Sequence, residues 1–223
     1  MSCAPIADAL KRRFRTRLLR WFAQHGRALP WRETRDPYKI LVSEVMLQQT
    51  QVDRVREFYP RFLKKYPSVE SLARARPLAV REAWDGLGYY ARARNLHAAS
   101  RAVVKNHDGR FPRDATALQQ LPGIGRYTAG AVASFAHAQR APIVDTNVAR
   151  VLARVFGLGA DVKRSAVQKQ LWHLAETLLP RKPESIWAFN QGIMDLGATV
   201  CTARKPQCPA CPLRGLCLSA KMF

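Results

Sequence analysis

Apolar residues recur along this chain at intervals of three and four, the spacing that lines one face of an α-helix, and Pro or Gly interrupts each stretch before it grows long. The opening segment sets the pattern. Leu18, Leu19, Trp21 and Phe22 form an apolar stripe, Arg12, Arg13, Arg15, Arg17 and Arg20 decorate a solvated face, and His25-Gly26 ends the helix. The same periodicity predicts helices over about 37–52, 53–66, 68–74, 78–85, 90–107, 114–120, 127–138, 146–157, 163–179 and 184–198. No alternating pattern is long enough to build a sheet, and no repeat or low-complexity segment stands out. The expected fold class is all-α.

Length and charge narrow this further. A chain of 223 residues buries one substantial core, or two lobes that share one. Lys and Arg total 37 against 16 Asp and Glu, a formal net charge of +21 that is spread along the chain. Such an excess points to a polyanionic partner, with nucleic acid first; a generic basic surface is the plain alternative. No apolar run approaches the ~20 residues of a membrane span, and residues 1–8 carry no secretory pattern. A soluble protein of a reducing compartment is expected, cytoplasmic and nucleoid-associated if prokaryotic.

Four of the five cysteines crowd the C-terminal end as Cys201-x6-Cys208-x2-Cys211-x5-Cys217. So dense a group of thiols without a secretory pattern reads as a metal site before disulfides. Structural zinc usually takes two short Cys-x-x-Cys knuckles, and only Cys208 and Cys211 make one. The uneven gaps favour a 4Fe–4S cubane over zinc, because its iron corners need thiolates from several directions. Cys3, alone near the N-terminus, reads as an ordinary free thiol.

Three further features carry chemistry. Leu121-Pro122-Gly123-Ile124-Gly125 separates two helical stretches; its glycines permit a tight hairpin with outward amides at a helix start, an anion site suited to a phosphate, though a plain helix–helix turn is the alternative. Glu44 sits inside the apolar run Ile40-Leu41-Val42-Ser43-Glu44-Val45-Met46-Leu47, with Ile40, Leu41, Leu47 and Gln48 on its face, where a carboxyl should hold its proton near neutral pH. A buried bracing glutamate is the plain alternative. Asp145 precedes a helix and is an N-cap candidate; a carboxylate held by helix amides should stay ionised.

The hairpin, an aspartate some 20 residues on, and the cysteine loop together resemble the endonuclease III superfamily of DNA glycosylases, within it the MutY branch of adenine glycosylases. Leu29-Pro30-Trp31-Arg32, the block Ser43-Glu44-Val45-Met46-Leu47-Gln48-Gln49-Thr50-Gln51-Val52, Gly86-Leu87-Gly88-Tyr89-Tyr90-Ala91-Arg92, Val144-Asp145-Thr146-Asn147-Val148, Phe189-Asn190-Gln191 and Met194-Asp195-Leu196-Gly197-Ala198 carry the likeness over nearly the whole chain. The resemblance implies that Glu44 protonates the departing base, that Asp145 stabilises the oxocarbenium ion, and that the target adenine is flipped from the duplex. Bifunctional relatives place lysine where Tyr127 stands, and a phenol forms no imine, so base hydrolysis without strand cleavage is implied. Gln49 and Tyr89 match residues that wedge the duplex. Gln48 lies beside them, Thr50 is a candidate contact to the estranged base, and Arg32 and Gln191 to the flipped adenine, with Trp31 walling the pocket. Gly123, Gly125 and Asn147 belong to the implied DNA contacts, and Arg92, Arg94, Arg126, Arg204 and Lys205 are candidate phosphate contacts. About six neutralised phosphates would give a log–log salt slope of roughly −5.

The implied architecture is a six-helix barrel lobe with the hairpin over 32–140 and a cluster lobe of 1–31 with 141–223, with a DNA-facing cleft. The implied partner is double-stranded DNA containing a mismatch, bound by a monomer, with no membrane. The long relatives continue into a Nudix-like domain that helps recognise 8-oxoguanine, whereas this sequence ends six residues after Cys217: either a naturally short form or a trimmed one. Short relatives include thymine–guanine mismatch glycosylases, which generally lack the intact glutamine block. Adenine is therefore favoured over thymine, and a non-catalytic iron–sulfur DNA-binding protein is the reading from another class.

Overall fold

The computed structural model describes residues 6–159 and 161–222, so Cys3 lies outside the described residues. Among the described residues eleven α-helices follow one another: α1 (Asp8–His25), α2 (Pro37–Leu47), α3 (Val52–Lys65), α4 (Val69–Ala73), α5 (Pro77–Ala83), α6 (Ala91–His107), α7 (Ala115–Leu118), α8 (Arg126–His137), α9 (Thr146–Phe156), α10 (Ser165–Leu178) and α11 (Pro183–Asp195). Short 3-10 turns and one π-helical turn, Leu196–Val200, complete the set, with no strand among the described residues. No helix among them is long and apolar enough to cross a membrane.

The chain separates into two compact units, one of residues 28–139 and one of 1–27 with 140–223. In the first, α2 is the centre. Ile40, Leu41, Val42, Val45 and Met46 are all buried, and α3, α6 and α8 pack around them. A helix covered on several sides can afford apolar residues around most of its circumference, which explains why α2 shows so little amphipathic contrast. Its start is local: Pro37 occupies the first turn, and Asp36 caps it by accepting from the amides of Tyr38 (2.9 Å) and Lys39 (3.4 Å). Its end differs from the expected 37–52. The helix stops at Leu47, and Gln48–Gln51 form a turn in which Gln49 adopts φ 57°.

In the second unit α1 lies along α11, and α9 packs on α10, α11 and the π-turn. Phe14, Leu18, Val148, Leu152, Leu171, Phe189, Ile193 and Leu213 form its core, with Cys201, Cys211 and Cys217 packed at the margin. The fully buried Asp195 accepts from the Arg27 backbone amide and from its guanidinium at 2.6 and 2.8 Å, which ties the end of this unit's first segment to α11. Arg15 departs from the expected solvated face. Its guanidinium turns inward to the carbonyls of Leu178 (2.7 Å), Thr177 (2.9 Å) and Leu179 (3.2 Å), where α10 ends with unpaired acceptors.

Candidate active site and cysteine cavity

Glu44 lies on α2 with 3% of its surface exposed. The phenol of Tyr127, in the first turn of α8, donates to Glu44 Oε2 at 2.8 Å. A carboxyl buried this deeply is costly without partners, and the phenol both offsets that cost and fixes the orientation of the group. The two residues stand 83 positions apart and carry no local signal that they touch.

The turn after α2 is held by a side chain that looked like a surface charge. Arg92, on α6, is 7% exposed. Its Nη1 donates to the carbonyls of Val45 (3.0 Å), Met46 (2.7 Å) and Gln48. Its Nη2 donates to Thr50 Oγ1 (3.0 Å) and to the carbonyls of Leu87 (2.9 Å) and Gly88 (3.0 Å). The expected phosphate contact is thus corrected: this guanidinium caps α2 and is engaged inside its unit. It also explains the early end of the helix, since carbonyls accepting from Arg92 need no further helical turn. Gln49 and Tyr89 emerge from the two clamped turns, both exposed and both left-handed at φ 57° and 47°. That conformation costs a non-glycine residue roughly 1–2 kcal/mol, so surrounding contacts must enforce it. With Gln48, Tyr90, Ala91, Arg92 and Arg94 they line a depression of about 410 Å³. Gln48 reaches Thr128 Oγ1 at 3.5 Å.

The hairpin sits between α7 and α8, with Pro122, Gly123, Gly125 and Arg126 exposed and Ile124 buried as a plug. Gly123 has φ 73°, and a Cβ there would meet Asn95 Cβ at 2.5 Å, so this glycine is demanded by packing against α6. Gly125 caps α8 at φ −82°, and a Cβ there would meet nothing within 4 Å. The space beside Gly125 at the start of α8 is therefore open. Ala129, Ala131 and Ala133 are fully buried, and α8 packs on α2 through them and their neighbours.

In the other unit Asp145 caps α9, accepting from the Val148 amide at 2.7 Å. Asn147 Nδ2 donates to Asp145 Oδ2 at 3.0 Å, and Arg150 donates to Asn147 Oδ1 at 2.8 Å. Arg150 also donates to the carbonyls of Gly197 (2.7 Å) and Cys201 (2.8 Å). The side chain of Asn147, expected to touch DNA, is engaged at both ends within its unit. Burial pushes the Asp145 carboxyl above its ordinary value, while the Val148 amide, the Asn147 side chain and Arg150 pull the other way. The amides expected to hold its charge are present, and burial works against them.

The remaining candidates are placed as follows. Arg32 ends the 3-10 turn Pro30–Arg32 and is half-buried. Gln191 lies on α11 at 5% exposure. Trp31 is core: 5% exposed, with its ring edge-on to Tyr59 at 5.7 Å. Arg94, Arg126, Arg204 and Lys205 are exposed.

Cys201, Cys208, Cys211 and Cys217 line one cavity, walled by Val151, Leu196, Val200 and Leu213, and none is in a disulfide. Burial pushes the Cys211 thiol up to about 11 and raises Cys217 as well, so thiolates form here only against bound cations. Among the described residues no three His, Cys, Asp or Glu side chains converge tightly enough for one ion. Four thiolates on a single zinc would stand about 3.8 Å apart, from Zn–S of about 2.3 Å and tetrahedral angles. Four thiols that line one cavity are a donor set that fits the iron corners of a cubane. Arg154 donates to Cys201 Sγ (3.4 Å) and to the carbonyls of Thr202 (2.7 Å) and Ala203 (2.9 Å), which shapes the loop.

A family described as "HhH-GPD superfamily base excision DNA repair protein" matches residues 42–177, and the "Iron-sulfur binding domain of endonuclease III" matches residues 201–217. The adenine DNA glycosylases of Mus musculus and Homo sapiens are 48% and 49% identical, each over 92% of this chain. The chain spans only 41% and 39% of their lengths. A solved structure titled as a thermostable thymine-DNA glycosylase superposes with TM-score 0.88 at 34% identity, covering 97% of this chain and 99% of that one, and a trapped endonuclease III–DNA intermediate with TM-score 0.79 at 27% identity, covering 98% and 99%.

Proposed function

Because the chain belongs to the HhH-GPD superfamily of base excision DNA repair proteins, with the family's cysteine motif for a 4Fe–4S cluster, we propose that it is a monofunctional DNA glycosylase. It hydrolyses the N-glycosidic bond of adenine mispaired with 8-oxoguanine or guanine and leaves an abasic site. The observation that carries this is the buried Glu44 with the Tyr127 phenol 2.8 Å from its Oε2. An inward acid is what purine departure needs, because the ring leaves well only once protonated. Asp145 supplies the anion that stabilises the oxocarbenium ion, in the two-carboxylate logic of glycoside hydrolysis. Tyr127, lacking an amine, orients the acid and starts no strand cleavage. Gln49 and Tyr89 wedge the duplex, Thr50 meets the estranged base, and Arg32 and Gln191 read the adenine. The amides behind Gly123 and Gly125 take a phosphate. Cys201, Cys208, Cys211 and Cys217 hold the cluster, which acts as a scaffold presenting Arg204 and Lys205 to DNA and requires a reducing compartment. The protein acts as a monomer on mismatched duplex.

A second reading is supported by the thymine-DNA glycosylase likeness, which covers both chains almost completely. Adenine is favoured because relatives so named are 48% and 49% identical, against 34%. One assay separates the readings: duplexes carrying A:8-oxoG, A:G, T:G or thymine glycol, alkali-treated after incubation. Cleavage of the adenine duplexes, lost in Glu44→Gln by at least about 100-fold while mismatch affinity is retained, is the expected result. Cleavage of T:G alone selects the second reading, silence on every duplex a binding protein, and full activity of Glu44→Gln removes the acid assignment.

A further inference from the structure

Two exposed residues of one unit, Gln49 and Tyr89, share a left-handed backbone and flank one depression, yet they belong to turns distant in sequence. A single side chain meets both turns. Arg92 Nη1 serves the end of α2, and its Nη2 bridges from Thr50 Oγ1 to the carbonyls of Leu87 and Gly88. We infer that Arg92 is a positioning residue that locks Gln49 and Tyr89 into one rigid wedge, and that its contribution falls on base extrusion and not on bond cleavage. The inference rests on the wedge reading of those two residues.

The chemistry of the guanidinium explains why arginine stands here. Its planar fork sends donors in several fixed directions, so one group satisfies acceptors on two turns at once. An ammonium offers three donors from one point and reaches one turn or the other. The guanidinium also stands 5.6 Å from the Trp84 ring centroid and 5.5 Å from that of Tyr89, so the exposed aromatic is braced from beneath by the same cation. Its Nε is buried without a hydrogen-bond partner, a cost the site tolerates to keep the fork in place. Without the clamp the carbonyls of Val45 and Met46 lose their Arg92 donor, that of Gln48 keeps only the 3.5 Å contact from Thr50 Oγ1, and the two turns that carry residues 49 and 89 lose the side chain that joins them. A loosened wedge fails where force against a stacked duplex is needed. Where the stack is already open, it matters little.

The test compares single-turnover excision by the full, cluster-loaded chain on two duplexes. One carries A:8-oxoG between paired neighbours; the other carries the same lesion between mismatched neighbours, so that the cost of unstacking is already met. Arg92→Lys is expected to be about 100-fold slower than the parent on the first duplex, equivalent to about 2.7 kcal/mol at 1.36 kcal/mol per tenfold, and within about threefold on the second. Equal loss on both overturns the inference and leaves Arg92 a residue of general stability. A parent inert on adenine in both duplexes overturns the adenine reading, and the wedge assignment with it. A second readout needs no variant. Native-state amide exchange of the parent over residues 49–51 and 86–90 is expected to follow one common opening, and turns that open independently overturn the clamp.

Discussion

The two hairpin glycines make opposite demands, and alanine at each separates packing from phosphate binding. At Gly123 the backbone has φ 73°, and an added Cβ would stand 2.5 Å from Asn95 Cβ and 2.7 Å from Asn95 Cγ. The obstructing atom lies next to the α6 backbone, so rotating the Asn95 side chain does not clear it. Left-handed strain costs about 1–2 kcal/mol and forced overpacking about 1–3 kcal/mol, together roughly 2–5 kcal/mol. At about 2–4 °C per kcal/mol for a chain of this size, Gly123→Ala should melt roughly 4–20 °C below the parent. Gly125→Ala meets no atom within 4 Å and keeps an ordinary φ of −82°. Its melting temperature should stay within about 4 °C, since glycine is itself only a modest helix cap and the change costs under about 1 kcal/mol. What it obstructs is the approach of a phosphate to the first amides of α8. A charge-assisted hydrogen bond is worth about 1.5–3 kcal/mol, so duplex affinity should fall roughly 10- to 100-fold. Because neutral amides release no counterions, the salt dependence of binding should stay nearly parallel to that of the parent. Thermal melts by circular dichroism and fluorescence anisotropy with a labelled duplex at several salt concentrations measure all three quantities. Gly125→Ala with parental affinity would refute the phosphate reading. A melting loss at Gly125 as large as at Gly123 would refute the geometry beneath it.

Other outcomes follow from the same coordinates. Tyr127→Phe removes the donor 2.8 Å from Glu44 Oε2 and should slow single-turnover excision about tenfold, whereas Tyr127→Lys should gain a borohydride-trappable, strand-nicking product; absence of any adduct counts against the placement of this residue beside the reacting sugar. Burial raises the Asp145 carboxyl, so the native state holds this proton more tightly than the unfolded chain; the resulting stability is present below its ordinary value of 3.8 and lost as pH rises through the native value. Asp145→Asn, which keeps a capping side chain, should therefore lose excision yet melt above the parent at neutral pH, with the gap closing in acid; a lower melting temperature at neutral pH contradicts the burial argument. Replacing the exposed Arg204 or Lys205 by Gln should lower the log–log salt slope of duplex binding by about 0.9 each, and an unchanged slope removes them from the phosphate contacts.

Four of the helix starts among the described residues carry a local capping signal. Asp36-Pro37, Ser68 with Ser71, Asp114 and Asp145 each cap from within a few residues of the helix they begin. The end of α2 was not legible. Its apolar spacing runs on toward Val52, and what stops it is an arginine on another helix, which no window around Leu47 contains. The individual chemistry-bearing residues could be named from their types and neighbours, but their partners could not. Tyr127 beside Glu44 is tertiary, and the chain from Asp145 through Asn147 and Arg150 ends on the carbonyl of Cys201, an acceptor every residue possesses and no sequence marks. Desolvation at Asp145 is illegible in the sequence for the same reason: the capping amide is encoded nearby, whereas the burial around it is not.

The arginines reveal how misleading a formal charge can be. An all-helical chain with short connections ends many helices inside itself, and each end leaves carbonyls that need donors. Glycine or water serves at an exposed end; a buried end needs a donor that arrives from elsewhere. Arg15 and Arg140 converge on the end of α10, with Arg140 donating to Glu176 at 2.6 Å. Arg92 does this for α2, Arg150 for the π-turn after α11, and Arg154 for the loop after Cys201. A guanidinium suits the task because its long apolar stem crosses the packed layer while its fork meets two or three acceptors. Part of the +21 is therefore a structural device engaged with the chain's own carbonyls. The polyanion argument survives this subtraction because Arg94, Arg126, Arg204 and Lys205 remain exposed. The charge available to a polyanion is set by such residues and not by the total.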